Sequence, residues 1–181
     1  FISVLINAKT VIHAGYLFDT EKGNLEPEIS IIVDNDKIVD VIEGYVAPDP
    51  DDQYIDLTGY YLLPGLIDMH VNLTNRSSNR AYLERTTLNP ADYAIRATKN
   101  AEITLFSGFT TVRNLGDSDG ITISLRNAIN QGITDGPRIY SSGKTIASTG
   151  GHGDSTNSLN NALTSDLGPA EGVINGKDDA L

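Results

Sequence analysis

The sequence predicts an α/β chain in two parts, a β-rich region over residues 1–63 and a parallel strand–helix region over residues 64–181. Three observations predict it. Apolar and β-branched runs, separated by turn residues, fill the first third without helical periodicity. Pro64–Gly65 then punctuates the chain. Beyond it, short apolar runs alternate with stretches whose apolar residues recur at helical spacing, the pattern of parallel strands joined by right-handed crossovers.

The first region reads as a small antiparallel sandwich with an acidic surface. Lys9–Asp19 (KTVIHAGYLFD) carries a β-branched run, a glycine and a second short apolar run. Ile29–Val33 and Lys37–Ile42 flank Asp34-Asn35-Asp36, the composition of a tight hairpin turn. Ala47–Asp52 (APDPDD) suits neither helix nor strand and is expected as a loop. QYIDLTGYYLLPG then predicts a strand pair folded about Thr58–Gly59.

In the second region Leu66–Leu73 is the first expected strand. Asn89 is placed to cap a helix, with Pro90 at its first position and Asp92 in its first turn. Ala94, Ala97, Ala101 and Leu105 form its apolar stripe, and Gly108 stands where the helix should stop. Phe109–Gly116 is the second strand. Ser118 or Asp119 is expected to cap the next helix, whose stripe is Ile121, Leu125, Ala128 and Ile129. Arg138–Gly143 is the third strand. The remainder is rich in Gly, Ser, Asn and Asp, and a long irregular segment after a parallel strand is often functional. Three parallel strands cannot close a barrel of eight, so a barrel needs more chain than these residues.

Composition narrows the function. With 39% hydrophobic and 20% charged residues the chain can bury a core. The net charge is −11, with about 12 carboxylates against about 3 lysines in residues 1–57. No basic stripe exists, which argues against a nucleic-acid partner. There is no cysteine, which removes disulfides, thiolate metal sites and cysteine nucleophiles. No apolar run reaches the length of a membrane span. The chain opens on Phe1, and FISVLI is too short for an intact signal peptide.

The chemistry concentrates in LLPGLIDMHVNL, Leu62–Leu73. Strand alternation is expected to turn Ile67, Met69, Val71 and Leu73 one way and Asp68, His70 and Asn72 the other. An open sheet between helix layers is apolar on both faces, whereas this one turns polar toward the strand's C-terminal end, where ligands gather in parallel α/β folds. Donors at alternate positions can share a metal ion, and an imidazole suits zinc, iron or nickel. The competing reading is a polar strand end hydrogen-bonded to its loops. A second candidate is TGGHGD, Thr149–Asp154, whose glycines allow close backbone approach and offer His152 on a loop beyond the third strand. His152 reads equally as a substrate contact or a solvated loop residue. SGKT (Ser142–Thr145) matches the end of a phosphate-binding loop, but Arg138 occupies the position of the required first glycine. Arg113 can face substrate or pair with a carboxylate, and His13 is expected to be structural. Asn72-Leu73-Thr74 and Asn75-Arg76-Ser77 fit the glycosylation pattern, a short match that is frequent by chance.

LPGLIDMHVNL resembles the first-strand signature of the amidohydrolase superfamily, Pro-Gly-Leu-Ile-Asp-x-His-x-His, which opens a metal-dependent (β/α)8 barrel. Phe106–Asp117 and Ser124–Asp154 resemble the next segments of the branch holding Xaa-Pro and Xaa-Arg dipeptidases, imidazolonepropionase-like enzymes and ochratoxin-type amidases. The resemblance reaches to about residue 155. It implies the start of a (β/α)8 TIM barrel, its first three βα units, preceded by a β-sandwich that the end of a longer chain completes. It implies one or two divalent metal ions, zinc above all, with His70 and position 72 as ligands; Asp68, expected on the same strand face, would orient those ligands or the loop backbone. Position 72 is Asn here, a weaker donor than imidazole. His152 is the substrate contact that the resemblance implies, and Arg113 stands beside it as a candidate contact from its place at the end of the second strand, where an ion pair with a carboxylate is the favoured reading.

The expected activity is attack of metal-activated water on an amide bond of a dipeptide or N-acyl amino acid, releasing its C-terminal residue. A bridging lysine, two histidines and a catalytic aspartate of the family have no counterpart here, so these residues alone are expected to be inactive. The expected partners are a small peptide or N-acyl amino acid, the C-terminal half of the barrel and further copies in a homo-oligomer. The alternatives are an inactive or metal-free partner-binding subunit, or a deaminase, cyclic-amide hydrolase or ochratoxin-type amidase of the same fold.

Overall fold

The computed structural model describes residues 8–75, 78–157, 159–165 and 167–181. The chain divides into two compact units, the first ending at Pro64 and the second running from Gly65 to Leu181.

The first unit is a single four-stranded sheet built from β1 (Thr10–Asp19), β2 (Asn24–Asp34), β3 (Lys37–Glu43) and β4 (Gln53–Leu62), in the order β3-β2-β1-β4. β1–β2 and β2–β3 are antiparallel, but β1–β4 is parallel. This corrects the all-antiparallel expectation: the described residues form one mixed layer, with β4 parallel to β1. The loop Ala47–Asp52 makes a crossover of it, carrying the chain back so that β4 runs beside β1 in the same direction. The hairpin at Asn35–Asp36 forms as expected, with Asn35 in the left-handed region at φ 55°.

β4 is one continuous strand, and it does not fold back at Thr58–Gly59. The register with β1 passes from Ala14↔Leu57 to Tyr16↔Tyr61, so Thr58–Tyr60 bulge opposite Gly15 alone. The Thr58 N–H and hydroxyl both donate to Asp56 Oδ1, at 3.0 and 2.8 Å, and hold that carboxyl below its ordinary pKa. A Cβ on Gly15 would collide with the Thr58 carbonyl oxygen. His13 is structural, as expected. It is buried, stacked on Tyr45 at 4.7 Å, with Nε2 against the Val46 carbonyl at 2.8 Å and Nδ1 against the Tyr54 hydroxyl at 3.1 Å. A carbonyl only accepts, so Nε2 donates and Nδ1 accepts from Tyr54.

The second unit holds a parallel sheet of β5 (Leu66–Val71), β6 (Phe109–Asn114) and β7 (Arg138–Ser141), in that spatial order. α2 (Pro90–Phe106) links β5 to β6, and α3 (Ile121–Asn130) links β6 to β7. Asn89 and Pro90 open α2 as the sequence indicates, with Asp92 Oδ2 accepting the Asn89 N–H at 2.9 Å. Gly108, at φ 94°, ends the turn after it. The core is Leu73, Ala97, Ala101, Val112, Ile121, Leu125 and Ile139, one contiguous cluster from both helices and all three strand regions. The small residues of α2 let the helix lie close on the sheet.

Two features depart from expectation. A seven-residue helix, α1 (Ala81–Thr87), precedes α2 in a stretch with no helical stripe. The cap of α3 is neither Ser118 nor Asp119. Asp119 and Gly120 both take left-handed backbone, φ 63° and 66°, and this turn brings the Asp117 carboxylate onto the Thr122 N–H instead. Beyond β7 the chain forms no further named strand or α-helix among the described residues. Among those residues no helix is long and apolar enough to cross a membrane.

The Gly15 contact generates a stability prediction. Gly15→Ala should cost about 1–3 kcal/mol, the usual range for overpacking. Gly59→Ala, where a Cβ meets nothing within 4 Å, should change stability by less than about 0.5 kcal/mol. Urea titration of the two variants checks the contrast.

Candidate functional site

The strand ends of β5, β6 and β7 point the same way, so the segments after Val71, Asn114 and Ser141 emerge at one edge of the sheet. That edge carries the sequence candidates. Their arrangement differs from simple alternation. Asp68 pairs with Val112 and Val71 with Asn114, so Met69 and His70 together span one residue, Arg113. This is a β-bulge, and it puts Asp68 on the face of Val112, away from the shared face expected for Asp68, His70 and Asn72. Asp68 Oδ1 accepts the backbone N–H of His70 at 2.9 Å, within the bulge. Arg113 Nε donates to the Met69 carbonyl at 2.9 Å, on the bulge's other side. Among the described residues Arg113 makes no ion pair, so its partner is a backbone oxygen rather than the carboxylate considered from the sequence.

His70 is exposed. Asn72 lies one residue beyond β5, also exposed, with its carbonyl accepting the Asn75 N–H at 3.2 Å. It lines a cavity of about 260 Å³ with Leu73, Asn75, Asn100 and Ile103. A larger cleft, about 830 Å³, is bordered by Thr74, α1 and α2 and lined by Arg85, Arg96 and Lys99 among others; neither His70 nor His152 lines it.

Beneath the edge runs a buried polar network that sequence reasoning missed. Asn114, fully buried, accepts the Leu73 N–H on Oδ1 at 2.9 Å and donates from Nδ2 to the Gly116 carbonyl at 3.1 Å. Nδ2 also reaches the Thr122 hydroxyl at 3.4 Å, which bonds Ser141 Oγ at 2.7 Å. Ser141 Oγ in turn accepts the Gly143 N–H at 3.2 Å. From the other side, Asn100 of α2 donates to the Leu73 carbonyl at 2.7 Å. The available signal was an amide closing a strand whose centre, Thr110–Val112, is β-branched, at Asn114. Asp117, nearly buried, caps α3 with Oδ2, and its Oδ1 has no hydrogen-bond partner among the described residues.

His152 sits exposed in the loop after β7, between Gly151 and Gly153. Asp154 builds that loop. Its carboxylate accepts the Gly150 N–H at 2.8 Å, the Thr156 N–H at 2.9 Å and the Thr156 hydroxyl at 2.8 Å. The Gly150 and Thr156 amides hold its pKa below the ordinary 3.8. A Cβ at Gly153 would strike Thr145 Cγ2 at 2.5 Å, so the loop closes tightly on the segment that follows β7. A later segment is laid along this loop. The Ala147 N–H donates to the Gly172 carbonyl, the Ile174 N–H donates to the Ala147 carbonyl, and Asn175 bonds Thr149.

Zinc sites use three or four nitrogen, sulfur or carboxylate ligands. Positions 70 and 72 offer one imidazole and one amide, and among the described residues no three His, Asp or Glu side chains come together. These residues fit part of a metal site and not a whole one.

A depressed carboxyl pKa adds stability that is fully present above the unfolded value and is lost as pH falls through the lower folded one. The His152 loop should therefore hold at and above 3.8 and loosen only below it. Following the Gly150 and Thr156 amide signals by NMR against pH, the expected midpoint lies below 3.8; a midpoint above it would contradict the role given to Asp154.

Known proteins resemble this chain in sequence and fold. The model of the amidohydrolase family matches residues 61–179. A crystal structure of a Xaa-Pro dipeptidase with methionine bound in its active site superposes with TM-score 0.87 and 42% identity, over 95% of this chain and 42% of that one. A prolidase complexed with N-methylphosphonate-L-proline matches at TM-score 0.71 and 36% identity, covering 81% of this chain and 35% of that one. Ochratoxinase of Aspergillus niger is 29% identical over 154 residues, 80% of this chain and 30% of its own length. The chain thus spans less than half the length of each of these relatives. With the family model covering most of the chain and taking in the strand that carries His70, the chain belongs to the amidohydrolase family.

Proposed function

We propose that this chain is the N-terminal part of a hydrolase that cleaves amide bonds, with dipeptides or N-acyl amino acids as its substrate class. The observation that carries this is the common edge at which β5, β6 and β7 end, with His70 and Arg113 near the ends of β5 and β6, Asn72 just beyond β5, and His152 in the segment that follows β7. The dipeptidase and prolidase relatives support the substrate class, since the bound groups in those structures are an amino acid and a proline derivative. The three strands and their crossovers are the first units of a (β/α)8 barrel, and downstream chain supplies the rest. His70 and Asn72 contribute to a site for a divalent ion, zinc being the proposed one, whose other donors lie outside the described residues. His152 and Arg113 contact substrate, and Asp68 steadies the His70 backbone.

A second reading, a metal-free partner-binding subunit, is favoured by one observation, the absence of a third donor near His70 among the described residues. A substrate panel separates the two. The full-length protein assayed on Xaa-Pro and other dipeptides, N-acyl amino acids and a cyclic amide should hydrolyse one of the first two classes, and a chelator should abolish that turnover. The 181 residues on their own should show none. Full-length protein inert on the whole panel would sink the hydrolase reading.

A further inference from the structure

We infer that Asn100 and Asn114 are positioning residues of this site: as a pair they clamp the backbone on both sides of Leu73 and so set the backbone that presents His70 and Asn72. The inference rests on the proposed function for its consequence and on geometry for its content.

β5 ends at Val71, and the bulge at Met69–His70 has already interrupted its pairing with β6. The residues beyond have no strand ladder to fix them. Leu73 is fixed in another way. Its side chain is buried in the core, which sets how far the backbone stands from the helices. Its N–H is taken by Asn114 Oδ1 at 2.9 Å and its carbonyl by Asn100 Nδ2 at 2.7 Å. The two amides come from different elements, β6 and α2. Together with the buried side chain they remove rotation about the chain direction, the one freedom that would swing the preceding residue, Asn72. Because side chains project from the backbone, such a rotation would displace the side-chain amide of Asn72.

The orientation of Asn114 is fixed by its partners. The Leu73 N–H needs an acceptor and the Gly116 carbonyl needs a donor, so Oδ1 faces the first and Nδ2 the second. Aspartate would keep the first bond and lose the donor to the Gly116 carbonyl, while the Thr122 hydroxyl could turn to donate to its second oxygen. The path from Asn114 through Thr122 to Ser141 also reaches the start of the His152 loop. One buried amide therefore ties the carrier of His70 to the carrier of His152.

The test uses the full-length protein and three variants. Asn100→Ala removes only the bond to the Leu73 carbonyl, at a half-buried helix position where alanine favours the helix. Asn114→Leu removes the acceptor, and Asn114→Asp restores it. Hydrogen exchange by mass spectrometry is read on the peptide spanning residues 66–75, with the α3 peptide 125–130, which holds the core residue Leu125, as a control for folding. Exchange in residues 66–75 should rise at least about tenfold in Asn100→Ala and Asn114→Leu and return toward wild type in Asn114→Asp, with residues 125–130 unchanged. On the substrate found in the panel, kcat should fall about 10- to 100-fold in Asn100→Ala while KM stays within about twofold. Unchanged exchange in Asn100→Ala overturns the clamp. Raised exchange with unchanged kcat overturns the positioning role and leaves the hydrolase reading standing. If wild type hydrolyses nothing, the proposed function falls, and the exchange pattern alone decides whether the clamp exists.

Discussion

The organisation of the second unit depends on one buried residue, Leu73, and the two peptide groups that flank it. Leu73 sits where β5 has ended and the loop has begun, and its side chain, N–H and carbonyl are each held by a different part of the fold. A buried peptide group left without partners costs about 1–3 kcal/mol for each missing bond. Asn100 and Asn114 meet that requirement, so α2 and β6 cannot shift relative to β5 without breaking a bond. The same constraint places the polar edge of the sheet over a closed apolar core: Val112 and Ile139 pack with Leu125 and Ala101 below, while the donors stand above. Rigidity beneath and exposure above is the division of labour expected where a scaffold presents reactive groups on its loops.

The edge itself is assembled by backbone chemistry more than by side-chain pairing. The bulge at Met69–His70 is stitched by Asp68 on one side and Arg113 on the other, both bonding main-chain atoms. The His152 loop is folded around Asp154, whose carboxylate collects two amides and a hydroxyl. In each case a charged side chain satisfies irregular backbone that no ladder can satisfy. Charged groups committed to the backbone in this way leave the imidazoles of His70 and His152 exposed at the edge.

Much of this was legible in the sequence, for identifiable reasons. Pro90 after Asn89, the alanines at helical spacing and Gly108 specify α2, because capping chemistry and periodicity are local. The alternation of strands and helices indicated the parallel sheet for the same reason. What escaped was non-local. Whether Thr58–Gly59 turns or bulges depends on Gly15 across the sheet, and the all-antiparallel expectation missed that β4 returns parallel to β1. Strict alternation along Leu66–Leu73 assumed unbroken pairing, and the bulge is a property of two strands, β5 and β6, not of one. The cap position of α3 falls on Gly120, with Asp117 supplying the carboxylate to the Thr122 N–H, because two consecutive left-handed residues redirect the turn, and Asp119 is not a residue type that demands that conformation. Asn114 read as an ordinary strand residue since its partners, Leu73 and Thr122, lie 41 and 8 positions away.

The proposed reaction site is the end of β5, where His70 is to hold an ion despite Asn72. Metal content by elemental analysis, on full-length protein purified without added metal, tests it most directly. A divalent metal should copurify, His70→Ala should lose it, and Asn72→His, by replacing an amide with a stronger imidazole donor, should raise the occupancy. Equal metal content in wild type and His70→Ala would contradict it.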